Sequence, residues 1–389
     1  MKPIPYSKQH ISEEDIKAVI DVLKSDYLTQ GPKIAEFENA FSDYIGAKYA
    51  VAVYNGTVAL HLSALALGVN ETSKVITTPI TFVASANCIK YCCGSVYFVD
   101  IDKDSYCIDL NEIEDILKKS PEGEFSGIIP VDFAGYPVNL EDLRVIADKY
   151  NLWILEDACH APGGFFKDSN KDTQNCGNGK YADLSVFSFH PVKHIATGEG
   201  GMITTNNKKL YEYLLLLRTH GITKNPQLLQ ENHGGWYYEM QKLGYNYRIT
   251  DIQAALGINQ LKRAEKSLAR RQEIAEKYNN AFKDTPIITP KLEQGVSHAW
   301  HLYIIKVDNR KALYDYLRKE GIYTQIHYIP IHLHPYYRQF GWKKGDFPIT
   351  EDYYDKCLSL PMYPTLTKEE QDYVIQKVKV FLNDKKINS

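Results

Sequence analysis

The chain has 389 residues, of which 44% are hydrophobic and 24% are charged, and its formal net charge at pH 7 is -3. This composition is typical of a globular protein, and the length allows more than one domain with its own core. The nearly balanced charge gives no electrostatic basis for binding nucleic acid or an anionic membrane surface. No apolar run approaches the roughly 20 residues that span a bilayer. We therefore expect a cytoplasmic protein that binds neither nucleic acid nor membranes.

Cysteine usage favours the same compartment. An odd number of cysteines in a large chain indicates reduced thiols rather than a disulfide framework, and Met1 to Tyr6 shows no secretory signal. Cys92 and Cys93 are adjacent, which is not the spacing of zinc ligands. The seven cysteines are Cys88, Cys92, Cys93, Cys107, Cys159, Cys176 and Cys357.

Strands and helices alternate through the first part of the chain. This alternation predicts a mostly parallel sheet covered by helices on both faces, in which ligands bind beyond the carboxyl ends of the strands. A capping signal, Ser12-x-x-Asp15, marks the start of the first helix. Apolar spacing predicts helices over residues 12–24, 34–45, 58–67, 82–91, 110–118 and 139–150, and strands over 49–54, 75–78, 96–99, 127–132 and 153–157.

Two connections in this region have the residues of a ligand site. Asn55-Gly56-Thr57 joins a strand to a helix, where the first N–H groups lack internal partners and the helix dipole favours a phosphate. Taken alone, it is equally a plain connector with a threonine cap. Asp157 ends a strand, so its carboxylate is expected to face the ligand crevice, although strand-end and helix-capping aspartates are common.

Lys193 lies in a short connection between two predicted strands, 184–189 and 202–205, within the segment Ser188 to Gly201. A lysine that is partly desolvated can lose its proton near neutral pH and form a Schiff base with a carbonyl. The alternative is an ordinary solvated surface lysine. The preceding stretch, Gly163 to Gly179, is rich in Asp, Asn, Lys and Gly and is predicted to be a loop.

The last part of the chain has a different character. We expect a large domain over residues 1–250 and, over 251–389, a linking helix followed by a smaller α+β domain. His332 and His334 would share a face if they lay on a strand, but carboxylate or cysteine partners at ligand spacing are missing nearby, so polar contacts or a substrate role are favoured over a metal site. The predicted elements are helices over 210–220, 250–282, 311–320 and 368–382 and a strand over 300–307.

The phosphate-type turn at Gly56 and Thr57, the acid Asp157 and the lysine Lys193 together suit one cofactor. Pyridoxal 5'-phosphate (PLP) needs a lysine for its aldehyde, an acid that keeps its ring nitrogen protonated, and donors for its phosphate.

Four ordered motifs resemble the DegT/DnrJ/StrS family of nucleotide-sugar aminotransferases over nearly the whole chain. They are Asn55-Gly-Thr57, Glu156-Asp157-Ala-x-His160-Ala, Ser188-Phe-His-Pro-Val-Lys193 with Gly198-Glu-Gly-Gly201, and Gly244-Tyr-Asn246-Tyr-Arg-Ile-Thr-Asp-Ile-Gln-Ala-Ala-Leu256. The resemblance implies the α/β fold of PLP-dependent fold type I, with a large domain around a mostly parallel sheet and a smaller C-terminal α+β domain.

The resemblance also implies a role for each matching residue. Lys193 would be the catalytic lysine, Asp157 would pair with the cofactor ring nitrogen, and Phe82 would stack on the ring. His160 would lie near the ring substituents, and Asn246 would reach the phosphate of the neighbouring subunit, so active sites would be shared in a homodimer. The phosphate would be bound by Gly56, Thr57 and Ser188, and the sugar by Tyr6, Tyr27, Leu28, Thr29, Gln325, His327 and Tyr328.

Within the family, four further segments look most like the transaminases of pseudaminic acid biosynthesis. These segments are Tyr27 to Pro32, Thr77 to Val83, Pro130 to Gly135 and Gln325 to Pro330. The likeness implies transfer of an amino group from L-glutamate to C4 of a UDP-linked 2-acetamido-2,6-dideoxy-4-keto-hexose, giving UDP-4-amino-4,6-dideoxy-N-acetyl-β-L-altrosamine. The Asn55 to Leu60 turn and His194-Ile-Ala-Thr-Gly198 depart from that pattern, so another UDP- or dTDP-4-keto-6-deoxy sugar is an alternative.

Two other functions remain as alternatives. A sugar dehydratase on the same scaffold is disfavoured, because the dehydratases that resemble this chain carry histidine in place of the lysine. A cofactor-dead sugar-binding or regulatory protein is disfavoured because both Lys193 and Asp157 are present.

Overall fold

The computed structural model describes residues 3–387, so the outermost residues of the two predicted domains, 1, 2, 388 and 389, lie outside it. The helices are α1 (Glu13–Leu23), α2 (Pro32–Ile45), α3 (Gly56–Ala66), α4 (Ala84–Tyr91), α5 (Leu110–Lys119), α6 (Leu140–Lys149), α7 (Lys208–Arg218), α8 (Asp251–Leu261), α9 (Ala264–Phe282), α10 (Arg310–Lys319), α11 (Pro335–Arg338), α12 (Pro348–Lys356) and α13 (Lys368–Ile387). The strands are β1 (Ile4–Pro5), β2 (Tyr49–Val53), β3 (Lys74–Thr77), β4 (Ser95–Phe98), β5 (Gly127–Ile129), β6 (Trp153–Asp157), β7 (Phe165–Lys167), β8 (Thr173–Asn175), β9 (Leu184–Ser188), β10 (Gly201–Thr205), β11 (Ile222–Thr223), β12 (Glu239–Met240), β13 (Tyr303–Lys306), β14 (Ile322–Tyr323) and β15 (Cys357–Leu360).

A seven-stranded sheet with the order β2-β10-β9-β6-β5-β3-β4 is built from strands between residues 49 and 205. Strands β4, β3, β5, β6 and β9 pair in parallel, and β10 is antiparallel to both β9 and β2. The prediction of a mostly parallel sheet is therefore confirmed. Because β6 and β9 run in the same direction, Asp157 and Ser188 lie at the same edge of the sheet, and the Lys193 connection leaves from that edge.

Alternating side chains of the strands pack on the two faces of the sheet. On β2, Val51 and Val53 pack against one layer of helices, whereas Ala50 and Ala52 pack with Phe37 and other residues on the opposite side. This period of two residues with both faces buried is what a strand in the interior of an α/β sheet requires.

The starts of two helices follow from side-chain caps. Ser12 and Asp15 form the predicted capping box of α1. At α3 the Asn55 side chain accepts a hydrogen bond from the N–H of Val58 at 2.9 Å, so the helix begins at Gly56, two residues earlier than predicted. Gly56 and Thr57 therefore form the first turn of α3.

The prediction of one helix over residues 250–282 is wrong, because α8 and α9 are separated at Lys262 and Arg263. Arg263 leaves helical geometry, with φ -113° and ψ 11°, and its guanidinium binds the buried carboxylate of Asp15 in α1 and the carbonyl of His10. This tertiary contact ends α8 where the sequence has neither glycine nor proline. Helix α8 packs on α1 and α2.

The prediction of a loop over Gly163 to Gly179 is also wrong in part, since β7 and β8 pair there as an antiparallel hairpin. The turn is held by Asp168, whose carboxylate accepts N–H groups from Asn170 and Asp172. A run of polar residues predicts the turn of a hairpin but hides its two short strands.

The C-terminal part contains β13 paired with β15 and a separate apolar core that includes Tyr278, Leu313 and Val374. Ile4 of β1 also packs in this core, because β1 pairs with β14. The boundary at residue 250 stays a prediction.

His332 lies in a turn of 3-10 helix, Ile331–Leu333, so His332 and His334 do not share a strand face. The buried His332 ring is paired with Glu351 at 3.1 Å, which is the polar contact favoured by the sequence. All seven cysteines are free thiols. Within residues 3–387, no helix combines the length and the apolar character that a membrane crossing needs.

Candidate active site

Lys193 lies in the connection from β9 to β10, which is fixed by main-chain hydrogen bonds. Its N–H bonds the carbonyl of His190 at 2.8 Å, and the Ser7 hydroxyl bonds the carbonyl of Val192 at 3.3 Å. Desolvation lowers the pKa of the Lys193 amine below its ordinary value, while the negative charge of Asp157 opposes that shift. The neutral, nucleophilic amine is therefore easier to form than at a solvated lysine.

Asp157 is buried at the end of β6 and accepts two hydrogen bonds. The Ser85 hydroxyl donates to Oδ2 at 2.6 Å, and the N–H of Cys159 donates to Oδ1 at 3.2 Å. Thr81 lies 2.9 Å from the Ser85 hydroxyl and extends the chain of donors. An acid held by two donors is suited to pair with a protonated ring nitrogen. Sequence reasoning did not find Ser85, although it lies one helical turn beyond Phe82 in the Thr77 to Val83 region.

Gly56 and Ser188 meet at the start of α3. A Cβ on Gly56 would lie 2.8 Å from Cβ and 3.1 Å from Oγ of Ser188, so a side chain does not fit there. At a helix start the N–H groups of Gly56 and Thr57 point out of the helix end. The Ser188 oxygen accepts from the N–H of His190 at 3.4 Å, which leaves its own hydrogen to donate. Main-chain and hydroxyl donors thus converge on a cradle suited to a phosphate.

His160 and Tyr328 lie beside each other in the neighbourhood of Lys193. The N–H of Ala134 donates to Nδ1 of His160 at 3.2 Å, and Nε2 lies 3.3 Å from the Tyr328 hydroxyl. The exposed Phe82 ring lies 6.0 Å from the Tyr328 ring, measured between centroids. Burial holds the pKa of His160 well below its ordinary value, and the Lys193 charge adds to that effect. His160 is therefore a neutral imidazole at physiological pH.

Other buried histidines, which the sequence did not single out, surround these residues. The ring of His301 lies 4.4 Å from that of His160, and burial lowers the pKa of His298 to about 3. Beneath them the buried guanidinium of Arg271 donates to the carbonyl of Trp300 at 3.0 Å. No motif marked these residues, because they come from α9 and from the segment before β13 and meet only in the folded chain.

The structure brings some predicted sugar-side residues to this site. The ring of Tyr6 lies 5.2 Å from that of His327, which neighbours Tyr328 and bonds the Ser359 hydroxyl at 2.8 Å. Burial, followed by the charge of Lys193, lowers the pKa of His327 to about 3.

Gln325 is exposed, and its main chain pairs with Ser359.

The remaining predicted residues lie elsewhere. Tyr27, Leu28 and Thr29 form an exposed turn attached to the start of α8, where Thr29 pairs with Thr250. Asn246 is exposed and its main chain pairs with Thr219. Within residues 3–387, no hydrogen bond or ring contact joins these four residues to those around Lys193.

The residues present fit PLP, because a lysine with a lowered pKa, a hydrogen-bonded acid and a glycine-lined anion cradle lie at one edge of the sheet. The fold and this site define an aminotransferase of PLP fold type I. Residues 9–379 match the DegT/DnrJ/EryC1/StrS aminotransferase family, and the chain belongs to that family.

Relatives of known sequence resemble the chain along nearly its full length. Protein MJ1066 of Methanocaldococcus jannaschii is 43% identical, with 98% of each chain covered. The spore coat polysaccharide biosynthesis protein SpsC of Bacillus subtilis is 38% identical over 97% of this chain and 96% of its own. A UDP-4-amino-4,6-dideoxy-N-acetyl-beta-L-altrosamine transaminase of Campylobacter jejuni is 37% identical, with 95% of each covered.

Solved structures give the same result for the fold. PseC of Helicobacter pylori, an aminotransferase in the biosynthesis of pseudaminic acid, has a TM-score of 0.87 and 33% identity, covering 98% of this chain and 100% of its own. Spr1654 of Streptococcus pneumoniae has been solved in a PLP form, with a TM-score of 0.88, 29% identity and 98% and 99% coverage. The predicted fold class and family are therefore confirmed.

Proposed function

We propose that the protein transfers an amino group from L-glutamate to C4 of a UDP-linked 2-acetamido-2,6-dideoxy-4-keto-hexose, giving UDP-4-amino-4,6-dideoxy-N-acetyl-β-L-altrosamine. The observation that carries the transamination is the placement of Lys193, Asp157 and the Gly56–Ser188 cradle at one edge of the sheet. The likeness to the Campylobacter transaminase and to Helicobacter PseC supports this particular sugar.

PLP would be held by contacts at three places. The N–H groups of Gly56 and Thr57 and the Ser188 hydroxyl would bind its phosphate, and Asp157 would face its ring nitrogen. Phe82 would cover the ring, since its side chain is 55% exposed and free to pack on a ligand. Bound PLP withdraws electrons from the carbon that gains or loses nitrogen, and a protonated ring nitrogen strengthens that withdrawal.

The protein's own groups would orient the reactants and move the proton. Nζ of Lys193, once neutral, would take the proton from the α-carbon of the amino donor and return one to C4 of the sugar. Asp157, which accepts hydrogen bonds from Ser85 and from the N–H of Cys159, would pair with the ring nitrogen. Tyr6, His327 and Tyr328, with the exposed Gln325, would line the sugar side.

A homodimer with shared active sites would explain why the other predicted residues lie away from Lys193. Tyr27, Leu28, Thr29 and Asn246 are exposed, so a second subunit could present Asn246 to its neighbour's phosphate cradle and the Tyr27 to Thr29 turn to its sugar side. The test is to mix the inactive variants Lys193→Ala and Asn246→Ala after partial unfolding. A hybrid dimer with shared sites contains one intact site, so activity should return; a mixture that stays inactive would contradict shared sites.

The reaction is tested with 15N-labelled glutamate and a panel of UDP- and dTDP-linked 4-keto-6-deoxy sugars, with products identified by mass and NMR. We expect 15N at C4 of the UDP-linked N-acetyl sugar and loss of both turnover and the visible absorbance of lysine-bound cofactor in Lys193→Ala. Lys208→Ala on the exposed face of α7 is the matched control and should retain both.

The same experiment separates the alternatives. Preferred turnover of a different sugar would replace the proposed substrate but keep the transamination, and the likeness to SpsC makes this the second candidate. A deoxysugar without 15N would show dehydration. Binding of UDP-sugar without turnover, with cofactor and glutamate present, would show a binding protein.

A further inference from the structure

Two carboxyl groups outside the predicted site lie side by side in the interior. Asp132 follows β5 and Glu156 lies in β6, and each side chain is about 1% exposed. Their oxygens and the sulfur of Cys176 all lie within 4.8 Å of one another. Within residues 3–387, no donor reaches Oδ2 of Asp132. A buried carboxylate oxygen without a hydrogen-bond donor is energetically costly. The contact between the Asp132 and Glu156 carboxyl groups is therefore expected to contain a proton.

The hydrogen bonds indicate which carboxyl group carries that proton. Glu156 accepts the N–H of Gly177 at 3.0 Å to each oxygen and the Ser185 hydroxyl at 2.5 Å, as an ionised carboxylate does. Asp132 accepts the N–H of Val138 at Oδ1, at 2.9 Å, and otherwise faces only the weak thiol donor of Cys176 among its side-chain donors within residues 3–387. A proton on Oδ2 would let Asp132 donate to Glu156 and satisfy both groups.

The same Asp132 holds a turn that contacts His160. The bond to Val138 closes residues 132–138, and within that turn the N–H of Ala134 donates to Nδ1 of His160. The turn also packs on the main chain of His160, because a Cβ on Gly135 would lie 2.9 Å from its carbonyl oxygen. Since Nδ1 accepts, the hydrogen of the neutral ring lies on Nε2.

We propose that Asp132 and Glu156 share one proton, carried on Oδ2 of Asp132, and that this pair is a positioning device that fixes His160 as the Nε2–H tautomer. Nε2–H then donates to the Tyr328 oxygen, and the Tyr328 hydrogen is directed to another acceptor in the site. The catalytic value of this arrangement rests on the proposed function, whereas the shared proton and the tautomer do not.

The electrostatics of the surroundings agree with one proton for the pair. Burial, followed by the neighbouring Glu156 charge, raises the pKa of Asp132 well above its ordinary value, and burial raises that of Glu156. The other titratable groups facing the pair include the thiols of Cys176, Cys107 and Cys159 and the carboxylate of Asp157. None of these four groups is a cation, so none offsets the charge of a second carboxylate.

The pair Asp132→Asn and Asp132→Ala tests the location of the proton. Asparagine keeps an N–H donor toward Glu156 and an oxygen for Val138, whereas alanine removes both. The full-length holoenzyme, labelled with 15N-histidine, gives the His160 tautomer by NMR, with the signal assigned by its loss in His160→Gln. We expect the Nε2–H tautomer of His160 in the wild type and in Asp132→Asn, and a mixture of both tautomers in Asp132→Ala. The pH titration of the cofactor absorbance should change only in Asp132→Ala.

Three results would overturn the proposal. One is an Nδ1–H tautomer of His160 in the wild type, a result that needs no change at Asp132. Another is an Asp132→Asn protein that behaves like Asp132→Ala, because an acceptor-only Asp132 would suffer equally from either change. The third is a stoichiometric metal ion in the purified protein that is lost in Cys176→Ser, since the three groups would then be ligands. If no sugar is aminated but the tautomer results hold, only the proposed function fails.

Discussion

Gly56→Ala tests the phosphate cradle directly. The added Cβ would lie 2.8 Å from Cβ of Ser188, and ordinary contact begins at 3.4 Å, so the two elements must separate by about 0.6 Å. Ser188 is short and lies at the end of β9, so it cannot swing aside as the end of a long side chain could. The shift moves the Ser188 hydroxyl away from the N–H groups at the start of α3.

The substitution is expected to weaken binding of the PLP phosphate. A hydrogen bond to a charged group contributes about 1.5–3 kcal/mol, and weakening one of those bonds by the lower figure reduces PLP affinity about tenfold. Two effects on the free energy of unfolding partly cancel in Gly56→Ala. Overpacking against Ser188 destabilises the fold by about 1–3 kcal/mol, whereas alanine is a better helix former than glycine by about 1 kcal/mol.

The assay compares PLP with pyridoxal, which lacks the phosphate. Dissociation constants from cofactor absorbance should rise about tenfold for PLP and stay unchanged for pyridoxal in Gly56→Ala. Gly235→Ala is the matched control, since a Cβ there meets nothing within 4 Å. Equal losses for both ligands, or no loss for PLP, would refute the assignment of Gly56 and Ser188 to the phosphate.

Three further changes test other parts of the site. Ser85→Ala removes the donor to Asp157 and should weaken PLP binding about tenfold or more, whereas Ser85→Thr should restore it; equal affinity of all three proteins would contradict the role. Asp251 accepts the N–H groups of Gly31 and Lys33, so Asp251→Asn should speed hydrogen exchange in the Tyr27 to Thr29 turn and raise KM for the sugar without changing PLP affinity. His298 is neutral when folded, with its pKa lowered to about 3, and regains its proton on unfolding below about pH 6.5. The free energy of unfolding therefore decreases as pH falls from about 6.5 toward 3, and His298 contributes up to about 1.4 kcal/mol per pH unit to this decrease. When that free energy is measured by urea unfolding at several pH values, its dependence on pH should be weaker in His298→Gln by up to that amount.

The sequence predicts most of the helices and strands before residue 250 because their signals are local. Apolar spacing, caps and glycine turns gave the order of strands and helices, including the capping box of Ser12. The errors at α8 and at the β7–β8 hairpin have different causes. Arg263 ends α8 by binding Asp15 far away in the chain, and the β7–β8 hairpin depends on an aspartate turn whose flanking strands are only three residues long.

The same distinction separates the predicted site residues from those that were missed. Lys193, Asp157 and Gly56 lie in turns that glycines and strand ends mark in the sequence. Ser85 and Ala134 act through a hydroxyl and a main-chain N–H, and neither has a sequence signature of its own. Their roles depend on α4 and the turn after β5 meeting the end of β6, which only the folded chain determines.

The buried histidines and Lys193 together determine the charge of the site. Burial is the largest cause of the lowered pKa values of His160, His301 and His327, and the positive charge of Lys193 lowers each of them further. Neutral imidazoles supply hydrogen bonds without adding positive charge, so the balance of charge is left to Lys193 and Asp157. Asp157 favours the protonated form of Lys193, and a protonated ring nitrogen of bound PLP would offer Asp157 a cation in its place. A single carboxylate can thus serve the site both before and after the cofactor binds, which explains why it needs the firm donors Ser85 and the N–H of Cys159 in both states.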